Sequence, residues 1–447
     1  VGEAISFQID RRSGVCGART GVVTTPHGAF RTPAFMPVGT RGTVKGLLPS
    51  LVRAIGAECL LNNTYHLMLR PGSGVIQRLG GVHRFMGWDG PILTDSGGYQ
   101  AYSMADLNAV DDDGVTFKSI ISGEMVRLTP EISMRVQNEL GPDIIMAFDD
   151  CPPSVDPGSG PVNQTRLRHA ALRDTGKGRG YDHAARLDLA LDRTARWLER
   201  CKAAHARPDE QALFGIVQGG TDLGRRARSV EHVCGVELPG YAIGGVAVGE
   251  SGEEIRRVVE FTAPRLPWGK PRYLMGVGYP RDIVAAVRSG VDMFDCVLPT
   301  RNGRNANAFV RLADEEDGAG RAAEDGGGEG AWRGQLRLRN ARYAEDARAI
   351  EADCDCPACD PGRYGWPSPE GRAFSRGYLR HLFLSDEMLG PILVSLHNLR
   401  HYQRLMIDVR SAVANDDWLG LARRWPGAAG WVFGSGSGAC VPDRDGA

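Results

Sequence analysis

The segment Val291–Arg304, VDMFDCVLPTRNGR, ends an apolar run in a lone acid, Asp295, and follows it with two cations, Arg301 and Arg304. A carboxylate at such a place can act as a nucleophile or an acid/base, beside a basic turn suited to an anion. A second acid, Asp95, stands in LTDSGGYQ, where Ser96, Gly97 and Gly98 let the backbone come close to a ligand and Tyr99 offers a flat face. Taken singly, each string also reads as an ordinary strand end with a polar loop. Further on, CDCPACD places Cys354, Cys356 and Cys359 within six residues. Zinc commonly takes such a thiol set with one histidine in a closed tetrahedral site. His381, His397 and His401 are the candidates for the fourth ligand. His397 is the best placed, because it lies near the apolar face that Ile392, Leu393, Leu396, Leu399 and Met406 form at roughly helical spacing. The bland alternative is a tight turn of reduced thiols with a satisfied core histidine. Four protein ligands leave no position for water, so a metal held this way would be structural.

The elements that must position these groups follow from short apolar runs ending in Gly or polar residues. They predict eight strands: Ala34–Val38, Cys59–Asn62, Pro91–Thr94, Ile144–Phe148, Leu213–Val217, Tyr241–Ile243, Arg272–Met275 and Val291–Phe294. Helical spacing lies between them, as in Leu187, Leu191, Thr194 and Leu198, or Ile255, Val258, Val259 and Thr262. Strand and helix repeated in this way predict a (β/α)8 TIM barrel of the α/β class, whose functional residues gather where the strands end. Asp95, Asp149, Gln218 and Asp295 fall at such ends, with Gly245 and Met275 at equivalent places. Asp149 in MAFDDC could accept paired hydrogen bonds from a purine edge, Gln218 in GIVQGG could donate to a carbonyl or ring nitrogen, and the Gly245 amide in AIGGVAVGE could add a third contact. Together they would read guanine. Each has a plainer use, as a helix cap, a loop residue or a turn.

A chain of 447 residues fits a barrel of roughly 250 residues or more with an accessory module. Its net charge of −1 means that any contact with nucleic acid must come from a local basic patch. Ten cysteines are too dilute for a disulfide scaffold, and Cys16, Cys59, Cys151, Cys201, Cys234, Cys296 and Cys440 are expected to be buried thiols. No apolar run of about 18 residues and no signal-peptide pattern appear, which predicts a soluble cytoplasmic protein with no membrane contact, or an organellar-matrix one if a leader has been removed. The expected organisation is a catalytic barrel over residues 1–310, a flexible acidic and Gly-rich insertion over 311–334, a zinc-binding subdomain with closing helices over 335–410, and a C-terminal extension over 411–447. Val155–Tyr181, Ala313–Gly334 and Asp360–Arg372 interrupt the rhythm as insertions.

The motifs LTDSGGYQ, MAFDDC, GIVQGG, AIGGVAVGE, YLMGVG and MFDCVLPTRNGR, followed by CDCPAC and SLHNLRHYQRLM, resemble those of bacterial-type tRNA-guanine transglycosylase over about Gly21 to Val409, apart from the three insertions. The resemblance implies exchange of guanine at the anticodon wobble position of GUN-anticodon tRNAs for 7-aminomethyl-7-deazaguanine, in queuosine biosynthesis. It also implies Asp295 as the nucleophile that forms a covalent ribose intermediate, and Asp95 as the general acid/base. Displacing a base from ribose with retention needs such a pair on independent grounds. By the same matching Asp149, Gln218 and Gly245, beside Ser96, recognise the purine edge, and Tyr99 and Met275 sandwich its faces. Arg301 and Arg304 meet the anticodon loop, Cys354, Cys356, Cys359 and His397 hold one structural Zn2+, and the chain works as a homodimer. Arg337, Arg339, Arg342, Arg376 and Arg380 could add a phosphate-binding surface. Cys151 and Val248 agree with members that take the aminomethyl base, whereas Val246 replaces a more common Leu beside the pocket glycine.

Two readings from other classes compete. A catalytically silent partner subunit would bind zinc and tRNA without transfer, but it would be free to lose Asp95, Asp149 and Asp295, all of which are present. A zinc-dependent barrel hydrolase would need its metal at the strand ends with an open position, and here the thiols lie beyond the eighth strand. Queuine is the alternative incoming base.

Overall fold

In the computed structural model, described over residues 4–103, 108–154, 156, 182–247, 249–311, 334–366 and 372–431, eight parallel strands form one sheet. They are β1 (Ala34–Met36), β2 (Leu60–Asn62), β3 (Ile92–Thr94), β4 (Ile144–Met146), β5 (Ala212–Val217), β6 (Gly240–Ile243), β7 (Arg272–Leu274) and β8 (Met293–Asp295). Each pairs with its neighbours in chain order, and β8 returns to β1 in the register Asp295↔Met36. A bridge between Val38 and Leu61 closes the circle, with Gly39 N donating to Leu61 O at 2.7 Å. The (β/α)8 barrel expected from the apolar runs is therefore present, with strand ends shifted by a residue or two. Such strands are mostly apolar, with polar residues at their ends, because side chains inside and outside the barrel are both covered.

Met36, Leu61, Leu93, Met146, Phe214 and Met293 belong to the cluster that fills the barrel. On β8 Met293 belongs to this inner cluster and Phe294 to the outer one, so the two-residue period turns Asp295 inward again. The same alternation puts Tyr273, paired with Met293, inside. Outside, helix His183–Ala204 buries Leu187, Leu191, Thr194 and Leu198. Helix Gly252–Thr262, opened by a Ser251–Glu254 capping box, buries Ile255, Val258, Val259 and Thr262.

Two small sheets were not expected. Ser6–Arg12, Arg19–Thr25 and Gly28–Thr32 form an antiparallel sheet that sends Val23 and Phe30 into the inner cluster. It covers the end where the strands begin: buried Arg19 donates to both oxygens of Asp292, at 2.9 and 2.6 Å, and His27 Nδ1 lies 2.8 Å from Asp143. The other, Asn108–Asp111, Gly114–Lys118 and Met125–Leu128, is tied to helix 183–204 by Trp197 Nε1 donating to Asp112 O at 2.7 Å.

Beyond β8, Asn307–Phe309 and Gln335–Arg337 pair antiparallel and lead to the cysteine loop, followed by helices Arg376–Leu384, Leu389–Asn415 and Trp418–Arg424. Asn398 on the long helix accepts from Phe309 N at 2.8 Å and donates to Pro299 O and Asn307 O at 2.9 Å each, so the helix grips the chain just after β8. The insertions expected at 155–181 and 313–334 lie outside the described residues except for Asp156 and Gly334. Asp360–Arg372 opens with a 3-10 turn, Pro361–Tyr364, whose Tyr364 hydroxyl donates back to Asp355 O at 2.9 Å. Among the described residues no helix is long and apolar enough to cross a membrane.

Candidate active site

Asp295, the last residue of β8, is half-buried at the mouth of the barrel. Its Oδ1 accepts from Tyr273 Oη at 2.6 Å and from Gly276 N at 2.8 Å. Burial raises its pKa, and these two donors oppose the rise because they favour the charged form. The two bonds also fix one carboxylate oxygen, leaving the other for a reacting carbon.

Asp95 follows β3 and is buried. Its Oδ1 accepts from Thr64 N at 2.8 Å, and its Oδ2 from Asn63 Nδ2 at 2.5 Å and Gln100 Nε2 at 2.7 Å. Burial pushes the carboxyl up to about 6 against those donors, and the charge of Asp295 adds to the rise. An acid in this range holds and releases a proton near neutrality, as general acid/base chemistry requires.

A third buried acid, Asp149, follows β4. Its Oδ2 accepts from Gln218 Nε2 at 2.6 Å and its Oδ1 from Ser96 Oγ at 3.2 Å. Burial raises it to about 6, opposed by Gln218 and Ser96. Asp149 and Gln218 thus satisfy one another and would exchange that bond for a ligand's edge. Gly245, at φ 63°, is held against this pair, where a Cβ would run into Gln218 Oε1. Met275 N donates to Ile243 O at 3.2 Å, and the Met275 sulfur lies 3.6 Å from where a Cβ on Gly244 would be. Tyr99, on the short helix Gly98–Ser103, has 37% of its surface exposed. Asp150, next to Asp149, is held by Arg186 at 3.0 and 2.6 Å and by Arg193 at 3.3 Å, which anchors the turn.

Arg301 and Arg304 lie on helix Leu298–Arg304, directly after Asp295. Arg301 is exposed and Arg304 half-buried, and among the described residues neither pairs with an acid. The helix sits close against the long helix at Gly303, where a Cβ would lie 2.7 Å from Ser395 N.

At the far side of the long helix, His397 Nδ1 lies 3.5, 3.4 and 3.5 Å from the thiols of Cys354, Cys356 and Cys359. Ligands at about 2.3 Å for sulfur and 2.0–2.1 Å for nitrogen around a tetrahedral ion would be separated by about 3.5 Å. All four ligand atoms lie within 4.8 Å of one another, so the set can hold a metal ion. His397 Nε2 donates to Phe309 O at 2.7 Å, which leaves Nδ1 to face the thiols. Of the other candidates, His381 is exposed and His401 packs edge-on to Trp425. Arg400 clamps Asp355 at 2.6 Å through two bonds and so fastens the cysteine loop to the helix.

Two expectations need correction. Arg376 is not part of a phosphate-binding surface: it is buried, donating to Ala349 O and Ile350 O at 2.9 and 3.0 Å and pairing with Asp346. Arg337, Arg339 and Arg342 are exposed, and Arg380 is half-buried. Cys59, Cys151 and Cys201 are buried thiols, but Cys16, Cys234 and Cys296 are only partly so. Val248 and Cys440 lie outside the described residues. Asn63, Thr64, Gln100 and Tyr273, which hold the two facing acids, were not singled out from the sequence. Asn63 sits at a strand end like the others and could have been.

A family profile described as queuine tRNA-ribosyltransferase matches residues 14–170 and 179–428. The chain belongs to this family. It is therefore a pentosyltransferase. Its relatives include a queuine tRNA-ribosyltransferase of Thermus thermophilus, 46% identical over 94% of this chain and 93% of that protein. The Symbiobacterium thermophilum enzyme of the same name is 46% identical over 92% of this chain and 88% of its own length, and that of Synechococcus elongatus 43% over 94% of each.

Proposed function

We propose that this member exchanges guanine at the wobble position of GUN-anticodon tRNAs for 7-aminomethyl-7-deazaguanine, in queuosine biosynthesis. The observation that carries the reading is the pairing of Asp295, fixed by Tyr273 and Gly276, with the raised acid Asp95 at one barrel mouth, next to Asp149, Gln218 and Gly245. The Asp295 carboxylate attacks C1′ of the ribose, the C1′–N9 bond breaks, and guanine leaves with the electron pair and takes a proton from Asp95. The incoming base gives its N9 proton to Asp95 as it attacks C1′, and the bond to Asp295 breaks. Retention follows from two inversions.

Base selection rests in this account on Asp149, Gln218 and the Gly245 amide reading the purine edge, with Ser96 supporting Asp149 and Tyr99 and Met275 covering the faces. Arg301 and Arg304 receive the phosphates of an unstacked anticodon loop. The metal held by Cys354, Cys356, Cys359 and His397 is zinc in a structural role: a three-thiolate, one-imidazole set suits that ion and leaves no open position. A cytoplasmic homodimer is part of the same reading, checked by light scattering of the purified protein.

The test is exchange of labelled guanine into a GUN-anticodon tRNA, comparing the wild type with Asp295→Ala and adding 7-aminomethyl-7-deazaguanine or queuine as competitor. Exchange that vanishes in the variant supports the reading, and the stronger competitor identifies the base. No exchange by folded, zinc-loaded protein would leave the silent-subunit reading in its place.

A further inference from the structure

Arg226 lies on helix Leu223–Gly235 and is fully buried, and among the described residues no carboxylate is bonded to its guanidinium. A cation removed from water in this way is costly unless polar groups replace its hydration. Four backbone carbonyls do so. Arg226 Nε donates to Gly220 O at 2.8 Å, Nη1 to Val217 O at 3.0 Å and to Gly244 O at 2.7 Å, and Nη2 to Gly245 O at 3.1 Å.

These carbonyls come from two different turns. Val217 and Gly220 bracket Gln218 after β5, whereas Gly244 and Gly245 follow β6. Because the guanidinium is a rigid planar fork, bonding both turns at once fixes the distance and tilt between them. The turns are built to reach it: Gly219, Gly220 and Gly245 have φ of 126°, 56° and 63°, and a Cβ on Gly219 would sit 2.8 Å from Arg226 N. The same helix also holds Gln218 N through Ser229 Oγ at 2.9 Å.

We infer that Arg226 is a positioning residue for base recognition, locking the backbone that bears Gln218 to the backbone of Gly245 so that both meet one purine edge. The purine as ligand rests on the function proposed above; the locking itself does not. Lysine at this place keeps a charge but offers one nitrogen in place of the fork, so it cannot reach both turns in the same geometry.

The test compares wild type, Arg226→Lys and Arg226→Met as full-length, zinc-loaded protein. Amide hydrogen exchange is followed over residues 215–220 and 240–247, and guanine exchange is measured with base and tRNA varied separately. Expected is faster amide exchange confined to the two turns, and a KM for guanine raised about tenfold or more, the scale of one lost charge-assisted bond. Zinc content and the KM for tRNA stay unchanged, with Arg226→Lys intermediate. Unchanged protection of both turns in Arg226→Lys overturns the inference, and so does a rise of both KM values together. If Arg226→Met does not fold, Arg226→Lys decides alone. If the wild type exchanges no guanine, the proposed function fails, and amide protection in Arg226→Lys still decides for or against the lock.

Discussion

Asp149→Asn should make the protein less active and, above neutral pH, more stable. The carboxyl is 6% exposed and raised from 3.8 to about 6 by burial. The folded state therefore binds more protons than the unfolded state between these values, so stability falls as pH rises through about 4 to 6. A pKa higher by roughly two, at about 1.36 kcal/mol for each, makes the ionised group cost about 3 kcal/mol at pH 8, and almost nothing near pH 4. Asparagine cannot ionise, yet its amide oxygen can still accept from Gln218 Nε2 or Ser96 Oγ. The urea midpoint of the variant should accordingly match that of the wild type near pH 4 and exceed it at pH 8. Activity should move the other way, because a charged acceptor facing a purine edge is lost at about 1.5–3 kcal/mol per bond, or about 10- to 100-fold or more in kcat/KM for guanine. Parallel pH profiles of the two urea midpoints would refute the reasoning, since burial would then not be what raises this acid.

Tyr273→Phe removes one of two donors that favour ionised Asp295, so the acid limb of the pH–rate profile should move to higher pH while guanine KM stays put; an unmoved limb argues that Gly276 alone fixes the carboxylate. Gly303→Ala places a methyl group 2.7 Å from Ser395 N, and overpacking of about 1–3 kcal/mol should appear as a lowered thermal midpoint; an unchanged midpoint contradicts the close approach. Cys356→Ser, or a strong chelator, should cost the metal and loosen the grip of Asn398 on Pro299, read as lost zinc together with faster proteolysis between residues 335 and 366. Retained resistance without zinc would contradict a structural role.

The barrel was legible because its strands are short and mostly apolar, and several are closed by a polar group at the mouth, as Asp95, Asp149, Gln218 and Asp295 show. The N-terminal sheet was not: Ser6–Arg12 offers only Phe7 and Ile9 as an apolar face, too short a signal beside Arg11 and Arg12, and the sheet's place over the strand beginnings depends on Arg19 of its second strand reaching Asp292. His397 could be picked from helical phase, and what sets it apart from the equally buried His401, which packs on Trp425, is only that its Nδ1 meets all three thiols. Arg376 misled because a cation in a basic stretch looks like surface until its carbonyl partners are seen. Arg226 and Tyr273 belong to the same class. Their partners lie on other elements, the turns after β5 and β6 for Arg226 and the end of β8 for Tyr273, so no pattern of residue types along the chain announces what they hold.

The central claim is that Asp295 bonds to the ribose. Wild-type protein mixed with end-labelled GUN-anticodon tRNA, quenched in acid and run on a denaturing gel should carry label at the mass of a protein–tRNA adduct. The adduct should map to the peptide containing Asp295 and be absent from Asp295→Ala, while Asp95→Asn, which cannot protonate the leaving guanine, should bind tRNA on a native gel yet form little or no adduct. Label retained by Asp295→Ala, or guanine exchange surviving that substitution, would contradict the account.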